Sequence, residues 1–296
     1  MPELPDIELY LHAMRRRLVG QVLKSISVRS PSLLRSFNPP LEAADDRPVT
    51  GLRRLGKRIV WEMKGDLFLV FHLMIAGRFH QRKPDAQARG KYELACFRFA
   101  DFALMLTERS QQKRASLHLV AGEAGLDEHR RDGIDVRDCS TGQFAERLRS
   151  RNRTVKRALT DPSLLSGIGN AYSDEILHAA RLSPLRWTSR LADDELARLH
   201  TCCQVVLEQW IQRLQEQAGD AFPEKVTAFR PEMAVHGKFG EPCPDCGAPV
   251  QRIVYAANEC NYCANCQTDG KVLADRSLSR LLKDDWPRQL EDWENE

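Results

Sequence analysis

The sequence has no long hydrophobic run and only a small excess of positive charge. The first feature argues against a membrane-spanning protein, and the second is that of an ordinary globular chain. A membrane-spanning helix needs about 20 consecutive apolar residues, and no stretch of the 296 residues approaches this length. The N-terminus also lacks the basic and then apolar segments of a secretory signal. A net charge of +3, with 42% hydrophobic and 29% charged residues, is typical of an ordinary globular chain. We therefore expect a cytoplasmic protein without a membrane partner.

The chain shows no internal repeat and no low-complexity tract, and its length is that of about two domains. Pro5 and the acidic residues after it are a typical helix start, and the apolar spacing predicts a helix that ends near Gly20. Short β-prone runs separated by glycine and proline then predict a β-sandwich or barrel over 21–121. Residues 122–138 have the composition of a polar linker, and the pattern from 142 to 217 is helical.

Nine cysteines are present, but only four of them have the spacing of metal ligands. Two C-x2-C pairs are separated by the sixteen residues 247–262 and consist of Cys243, Cys246, Cys263 and Cys266. Two such turns present four thiolates to one ion and leave no open position for catalysis. We therefore predict one structural zinc ion in a zinc ribbon, with Cys260 in the same segment as a less favoured ligand. The ribbon alone is also compatible with an RNA-binding or translation-linked module.

The second residue, Pro2, has a small side chain, so removal of Met1 is expected and would expose a secondary amine. The pKa of an α-amino group is about 7.7–8.0, so much more of it is neutral at pH 7 than of a lysine at about 10.4. A neutral amine attacks carbon as Schiff-base lysines do, and the iminium of a secondary amine is a strong electron sink. The adjacent Glu3 is placed to donate or relay a proton. A Pro-Glu pair near a start residue is also common without this chemistry.

Basic residues are concentrated in one short region, which is the electrostatic pattern of a protein that binds the phosphate backbone of nucleic acids. A solvated helix face is the alternative explanation. The residues are Arg130, Arg131, Arg137, Arg147, Arg149, Arg151, Arg153, Lys156 and Arg157.

Three motifs together resemble the formamidopyrimidine-DNA glycosylase/endonuclease VIII (Fpg/Nei) family of DNA glycosylases, which use an N-terminal proline as nucleophile. They are the start Pro2-Glu3-Leu4-Pro5, the run Gly167-Ile168-Gly169-Asn170 and the zinc-ribbon cysteines. The resemblance implies an α+β multidomain protein with an N-terminal β-sandwich and leading helix, a helix–two-turn–helix domain and a C-terminal zinc ribbon. The expected catalytic β-sandwich, DNA-binding helical domain, zinc finger and C-terminal extension lie at 1–125, 139–235, 236–270 and 271–296.

The resemblance also implies roles for single residues. Pro2, Glu3 and Lys57 would be catalytic, with Lys57 assisting elimination; a lysine at a strand edge is the alternative. Met74 or Ile75 would be the apolar wedge that fills the gap left by a flipped nucleotide, although a core methionine beside a strand is an equal alternative. The expected DNA-binding residues also include Lys113, Arg114, Lys156, Asn170, Lys238 and Asn258.

Three departures from the family pattern affect the expected specificity. Asn258 stands where the family has an arginine that grips the phosphates beside the flipped nucleotide, so δ-elimination is doubtful unless another basic residue such as Arg252 reaches the site. Segment 108–116 replaces the family's Asp-Pro-Arg-Arg-Phe-Gly motif, and the aromatic wedge is therefore missing. Segment 218–229 is shorter than the capping loop of Fpg members and lacks its Gly-Gly-Thr signature, which disfavours 8-oxoguanine.

The resemblance therefore predicts a base-excision-repair DNA glycosylase with abasic-site lyase activity, acting as a nucleoid-associated monomer on damaged double-stranded DNA. The damaged nucleotide is expected to flip into a cleft between the β and helical domains, where Pro2 attacks C1′. An oxidised pyrimidine-like or bulky base is the expected substrate, and β-elimination is expected to follow. The alternative is a protein on the same scaffold that binds damaged or abasic DNA without excising a base.

Overall fold

A computed structural model describes residues 1–255 and 258–273 of the chain, which divides into two compact units. The first unit consists of Met1–Arg131 and Gln209–Ala228, and the second of Asp132–Glu208 and the described residues from Phe229 onward. Most of the expected C-terminal extension, 274–296, lies outside the described residues. No helix in the described part of the chain is both long enough and apolar enough to cross a membrane.

The first unit begins with a helix, α1, at Leu4–Leu18. Pro5 lies in its first turn, where the N–H that proline lacks would have no partner within the helix. The Asp6 carboxylate accepts the backbone N–H of Glu3 at 3.0 Å, which satisfies a donor at the start of the helix. The helix predicted from this region of the sequence is therefore present, and it ends just before Gly20.

Two antiparallel sheets form the body of the first unit. Their strands, β1 to β9, are Val22–Leu23, Ser25–Val28, Arg47–Leu55, Arg58–Met63, Leu67–His72, Gly77–Arg82, Glu93–Arg98, Ala103–Glu108 and Ser116–Ala121. The larger sheet has the order β1-β3-β4-β5-β9, and the smaller sheet has the order β2-β7-β8-β6. Two 3-10 helices, Pro31–Leu33 and Leu41–Ala44, lie between β2 and β3.

The two sheets are joined by a cluster of aromatic side chains. Trp61 and Phe71 of the larger sheet have ring centroids 4.8 Å apart, and each lies 5.2 Å from Phe97 of the smaller sheet. Phe79 of the smaller sheet lies 5.2 Å from Phe71. All four rings are fully buried, and burial of large rings is a major source of core stability. The β-sandwich predicted from the short strands is confirmed.

A short helix, α2 (Gly122–Asp127), covers part of the outer face of the larger sheet. Leu126 of this helix is fully buried and packs against Val60, Phe68 and Val70. The prediction of a polar linker over 122–138 is therefore wrong at this helix. A helix of 6 residues has too few apolar positions to show a helical period, and packing on the sheet supplies its stability.

The first part of the second unit, Asp132–Glu208, is mainly helical. Helices α3 to α6 are Thr141–Arg149, Val155–Thr160, Asn170–Ala179 and Asp193–Ala218, with a 3-10 turn at Thr188–Arg190. Ser140 and Gln143 form a capping box at the start of α3, in which each side chain accepts the other's backbone N–H. The last residues of α6 belong to the first unit.

The cysteine module is a β-hairpin followed by a short helix. β10 (Val250–Tyr255) pairs antiparallel with β11 (Asn258–Cys263), and α7 spans Ala264–Thr268. Asp269 has a φ of +52°, the left-handed conformation that commonly ends a helix. The cysteine module therefore consists of one hairpin, β10–β11, and one short helix, α7.

Candidate catalytic, nucleic-acid-binding and metal-binding residues

The N-terminal residues of the chain are buried in the first unit. Pro2 is buried and Glu3 is 3% exposed. Burial lowers the pKa of the Met1 α-amino group below its ordinary value of 8.0, while the negative charge of Glu3 acts in the opposite direction. An amine with a lowered pKa is more often neutral at pH 7 and is therefore a better nucleophile.

Lys57 shares this electrostatic environment. Burial lowers the pKa of its ammonium group, and the Glu3 carboxylate opposes the shift. The positive charge of Lys57 in turn contributes to the lowered pKa of the Met1 amine. The structure therefore places the predicted catalytic residues Pro2, Glu3 and Lys57 in one electrostatically coupled region of the first unit, while their catalytic roles stay predictions.

A turn of two residues between β3 and β4 holds Lys57. Gly56 has a φ of +62°, which type II′ hairpin turns require at their first central position. Arg54 forms an ion pair with Glu8 of α1 at 3.0 Å and donates a 2.9 Å hydrogen bond to the Gly56 carbonyl. Because the Arg54 side chain is only 8% exposed, this link from α1 fixes the turn, and with it the backbone of Lys57.

The loop between β5 and β6 contains both predicted wedge residues. Gly77 donates its N–H to the Leu73 carbonyl at 2.8 Å, and a Cβ at Gly77 would lie only 2.3 Å from that oxygen. The Met74 N–H donates to Nδ1 of His72 at 3.1 Å. Ile75 is 60% exposed, whereas Met74 is partly buried. Of the two residues, Ile75 presents the larger fraction of its side chain to solvent.

In the second unit, Lys156 and Asn170 are both engaged by neighbouring groups. The Lys156 ammonium group bonds to the Asp174 carboxylate and, at 2.8 Å, to the Asn170 carbonyl. The Asn170 side-chain amide donates to the main-chain carbonyl of Glu259 in β11 at 2.7 Å. Asn170 therefore ties the first turn of α5 to the hairpin of the cysteine module, a contact that the sequence did not reveal.

Two buried acids of α5 are site residues that sequence reasoning missed. The Asp174 carboxylate also bonds to Nδ1 of His236 at 2.8 Å. The Glu175 carboxylate accepts the N–H groups of Ala234, Val235 and His236 at 2.8, 3.0 and 2.9 Å. These bonds fix the segment that leads into the cysteine module. The sequence did offer one indication of these buried acids. Asp174 and Glu175 are adjacent and lie within a helix whose other residues are mostly apolar or small.

The four cysteines with metal-ligand spacing lie close together. Their sulfur atoms are all within 4.8 Å of one another, with 3.9 Å between Cys243 and Cys266 and 3.4 Å between Cys246 and Cys263. Thiolates placed tetrahedrally at ~2.3 Å from one ion would be ~3.8 Å apart. The cluster therefore fits a single metal ion with little rearrangement.

Cys260 lies outside this cluster. Its side chain is 2% exposed and packs against Ile253 and Tyr262. Burial holds the pKa of its thiol well above the ordinary value, which disfavours the thiolate that metal binding needs. Nε2 of His178 lies 3.3 Å from Sγ of Cys243, close enough to donate a hydrogen bond to a thiolate. Cys260 is thus a core residue. The α5 side chain that contacts the cysteine cluster is His178.

Comparison with known proteins agrees with this arrangement. The model of the formamidopyrimidine-DNA glycosylase N-terminal domain matches residues 1–114, and that of the formamidopyrimidine-DNA glycosylase H2TH domain matches residues 135–220. The formamidopyrimidine-DNA glycosylase of Heliobacterium modesticaldum is 30% identical over 281 residues, which cover 90% of this chain and 100% of that protein. The chain belongs to the formamidopyrimidine-DNA glycosylase family. As a member of this family it is a DNA glycosylase, and the resemblance inferred from the three sequence motifs is confirmed.

Solved structures give the same assignment. Lactococcus lactis Fpg bound to DNA with an abasic site has a TM-score of 0.79 at 26% identity, covering 90% of this chain and 99% of that chain. Its complex with Fapy-dG-containing DNA has a TM-score of 0.79 at 27% identity, with coverage of 90% and 100%. An uncharacterized formamidopyrimidine-DNA glycosylase-like protein of Mycobacterium tuberculosis is 40% identical over 161 residues, or 54% of this chain and 99% of that protein. The predicted three-part fold of the family is confirmed.

One buried acid anchors the segment that replaces the family's wedge motif. Glu108 is 1% exposed, and its carboxylate accepts the N–H groups of Arg114 and Ala115 at 3.0 and 3.1 Å. The Lys113 ammonium group bonds to the Glu108 carbonyl and lies 4.9 Å from the centroid of the Tyr92 ring. Lys113 is therefore engaged within the segment, whereas the Arg114 side chain is exposed.

Residues 219–228, within the short segment 218–229 that stands in place of the family's capping loop, are held against other residues of the first unit. Arg78 donates from Nε to the Val226 carbonyl at 2.6 Å. The Glu224 carboxylate lies 2.7 Å from Nδ1 of His80, and this contact contributes to the lowered pKa of Glu224. The segment is thus anchored at two separate points.

The register of the hairpin separates Arg252 from the position of the missing finger arginine. Arg252 lies three residue pairs from Asn258 in the β10–β11 ladder, so the two positions belong to opposite faces. The Arg252 guanidinium lies 4.2 Å from the centroid of the Phe239 ring and 3.6 Å from the Glu259 carboxylate. The Arg252 guanidinium is therefore engaged by neighbouring side chains of the second unit.

Most residues of the basic stretch predicted to face phosphates have acidic partners. The pairs are Arg130–Asp127, Arg137–Asp135, Arg149–Asp193, Arg151–Asp161, Arg153–Asp161 and Lys156–Asp174. Lys238 is likewise paired with Glu241 at 2.9 Å. Pairing reduces the net positive charge that these side chains offer to a phosphate, so the linear run of basic residues overstates the binding surface.

Proposed function

We propose that this glycosylase also cleaves the DNA strand, through a covalent intermediate at the Pro2 nitrogen. After removal of Met1, the neutral Pro2 amine attacks C1′ of the damaged nucleotide, and the bond to the base breaks as the base takes up a proton. Opening of the sugar ring leaves an iminium cation between the Pro2 nitrogen and C1′. Loss of a C2′ proton and departure of the 3′ phosphate complete β-elimination, and water then releases the protein.

The environment of the N-terminus carries this proposal. Burial lowers the pKa values of the Met1 α-amino group and of Lys57. The buried position of Pro2 would likewise favour the neutral form of its amine, as a nucleophile requires. Glu3 follows Pro2 in the chain and is 3% exposed, and we assign to it proton transfer to the opening sugar ring. Lys57, held by the Gly56 turn, is assigned to assist elimination.

Damaged double-stranded DNA is the proposed partner. The solved Lactococcus lactis complexes contain DNA with an abasic site, with Fapy-dG or with an oxidized pyrimidine. The exposed side chain of Ile75, with Met74 beside it, suits insertion into a base stack. Flipping a nucleotide costs a few kcal/mol and is easiest for a damaged base. The proposed backbone contacts are Lys113, Arg114, Lys156, Asn170, Lys238 and Asn258.

We infer that the cysteine cluster holds one structural Zn²⁺ ion. Four thiolates at tetrahedral spacing suit zinc, and a hydrogen bond from His178 to Cys243 is a typical supporting contact. All four ligands come from the protein, so the ion would supply structure and no chemistry. Its role would be to hold the hairpin whose Glu259 carbonyl receives the Asn170 amide.

The proposed substrate is an oxidised pyrimidine-like or bulky base, and the proposed reaction ends at β-elimination. The short segment 218–229 is anchored by contacts with Arg78 and His80, which supports a base-binding region without a long cap. Asn258 in place of the finger arginine, with Arg252 on the other face of the hairpin, supports the absence of δ-elimination.

Borohydride trapping on a duplex with one abasic site tests the lyase proposal. We expect wild-type protein to form a covalent adduct and Pro2→Gly to form none, because glycine would supply a primary amine in altered geometry. A matched control inserts one residue between Met1 and Pro2, which keeps the proline but converts its nitrogen into an amide. Intact mass would establish that Met1 has been removed from the wild-type protein.

The outcome decides between the two functions considered for this scaffold. An adduct from wild type that disappears in both altered proteins supports the Pro2 iminium. If folded, metal-loaded wild type binds the abasic duplex but gives no adduct, the lyase mechanism is excluded. A panel of damaged bases then separates a hydrolytic glycosylase from a protein that only binds damage.

A further inference from the structure

The outer face of the larger sheet carries polar side chains at one end. In the ladder β4-β5-β9, Arg58 pairs with His72, and Val70 pairs with His118. Directly paired residues of neighbouring strands share a face, and so do alternate residues of one strand. Arg58, His72 and His118 therefore lie on the same outer face as Val60 and Val70.

Helix α2 covers the apolar part of this face, and the polar side chains beyond it remain partly exposed. Leu126 packs against Val60 and Val70, and the turn after α2 is closed by a 3.0 Å bond from the His129 N–H to the Leu126 carbonyl. This turn places the ring of His129 against that of His118, with centroids 4.4 Å apart. The chain then continues to Arg131, whose side chain is exposed.

The positive groups at this end lack counter-charges. Neither Arg58 nor Arg131 has an ion-paired or hydrogen-bonded side chain within residues 1–255 and 258–273, whereas the neighbouring Arg130 is paired with Asp127. Burial and then the nearby Arg58 charge lower the pKa of His72 to about 4. Burial, His129 and Arg58 do the same for His118, to about 4. Arg131 contributes to a lowered pKa of Arg58 itself.

Positive charges that lie close together without an acidic partner repel one another in the free protein. A bound anion would offset this repulsion. His72 is already engaged, because its Nδ1 accepts the Met74 N–H. The groups left for a ligand are two guanidinium groups, each of which can bind two phosphate oxygens at once, and the two imidazole rings of His118 and His129, which lie 4.4 Å apart with their planes inclined at 58° and can take up a proton as an anion approaches.

We propose that Arg58, His118, His129 and Arg131 form a phosphate-binding site that receives a backbone phosphate of duplex DNA. Arg58 follows Lys57 directly, and His72 precedes the loop with Ile75. The site thus lies at the same end of the sheet as the residues assigned to catalysis and wedging. It would extend the protein's grip along the strand, and it rests on the DNA binding assigned under the proposed function.

The test compares variants that each replace one residue of the site with a control variant that replaces a neighbouring arginine outside the site. Arg131→Gln and His118→Gln are measured against Arg130→Gln, which removes an arginine that already has an acidic partner. The equilibrium dissociation constant is measured over a range of salt concentrations, on a duplex with a stable abasic-site analogue. Arg131→Gln should weaken binding about three- to tenfold and lower the slope of log affinity against log salt by about 1.

Two further readouts separate this site from the catalytic residues. Arg131→Gln should need a higher protein concentration to reach half of its maximal single-turnover strand-cleavage rate, because the site acts on binding. His118→Gln should weaken binding more strongly as the pH falls below the ordinary histidine pKa value of 6.5, because a bound phosphate favours the protonated imidazole. This variant also tests the site if Arg58 cannot be replaced without unfolding the protein. The groups facing His118 are Arg35, Arg58 and His129.

A terminal phosphate of the cleaved strand is the other source of the same chemistry. An affinity loss confined to nicked duplexes that bear a terminal phosphate would assign the site to reaction product, and an equal loss on intact duplexes assigns it to the backbone. Binding by Arg131→Gln and His118→Gln that matches Arg130→Gln on every duplex would overturn the proposal. Wild type that binds normally, depends on Arg131 and yet gives no borohydride adduct would retain this site and reject the lyase.

Discussion

At the scale of single residues, buried acids hold the loops of this protein in place. Glu108 and Glu175 each direct a carboxylate at consecutive backbone N–H groups, and Asp174 joins a lysine to a histidine. A carboxylate that accepts several N–H groups makes strong, charge-assisted bonds. Acids in such positions are usually expected on the surface, so their structural roles had to be read from the contacts.

Glu108→Gln should loosen the segment that replaces the family's wedge motif. The glutamine side chain keeps one acceptor oxygen, so a buried N–H of Arg114 or Ala115 loses its partner at a cost of about 1–3 kcal/mol. Trypsin cleavage after Arg109, Lys113 or Arg114 should become about tenfold faster, the factor that ~1.4 kcal/mol gives. Glu123→Gln, at an exposed partner of Arg53, should leave the rate unchanged; equal cleavage of both variants would contradict the anchoring role.

The two histidines of the outer face should make stability depend on pH. Their pKa values of about 4 in the folded protein lie below the ordinary value of 6.5. Between these values the unfolded chain binds protons that the folded protein does not, so the free energy of unfolding falls as the pH drops from about 6.5 to about 4. Because both rings are partly exposed, screening limits the loss to the order of 1–3 kcal/mol in total.

Urea unfolding at about pH 7 and about pH 5, with excess metal present, measures this dependence. His72→Gln together with His118→Gln should flatten it. A double variant as pH-sensitive as wild type would show that other groups carry the effect.

At the scale of elements, the turn between β3 and β4 joins fold to function. Gly56→Ala places a Cβ at a φ of +62°, which costs roughly 1–2 kcal/mol and distorts the turn that carries Lys57. We expect a lower Tm and a slower single-turnover cleavage of a preformed abasic site. Gly142→Ala in α3, where an added Cβ meets only the Ser140 hydroxyl at 3.9 Å, should keep wild-type cleavage and gain slightly in stability. If Gly56→Ala cleaved at the wild-type rate, the geometry of this turn would not matter for the reaction, and the prediction would be wrong.

The sequence predicted those elements whose signals are local. The short β-prone runs of β4 and β5, the proline start of α1 and the spacing of Cys243 and Cys246 are each visible within a few residues of the chain. Helix α2 was missed because tertiary packing of Leu126 stabilises it. The contact between His118 and His129, and the pairing of Lys156 with Asp174, depend on partners that only the folded chain brings together.

At the scale of the whole molecule, the two units should respond differently to loss of metal. Binding of a structural metal is itself folding free energy, with apparent values of about 10–16 kcal/mol in zinc-finger peptides. The hairpin packs on a small core around Ile253 and Tyr262. This core is too small to replace the free energy that metal binding would contribute. The first unit has its own aromatic core around Trp61 and Phe71, and no residue of the cysteine cluster belongs to it.

We therefore expect a chelator to increase amide hydrogen exchange in β10, β11 and the start of α5, where the Asn170 side chain bonds to the Glu259 carbonyl. Exchange in β4 and β5 should stay slow. Cys263→Ser should reproduce this pattern and lower the metal content, whereas Cys260→Ala should keep about one metal ion per chain, because Cys260 packs in the core outside the cluster. Equal exposure of β4 and β10 on chelation would mean that the two units unfold together, and full metal content in Cys263→Ser would exclude Cys263 as a ligand.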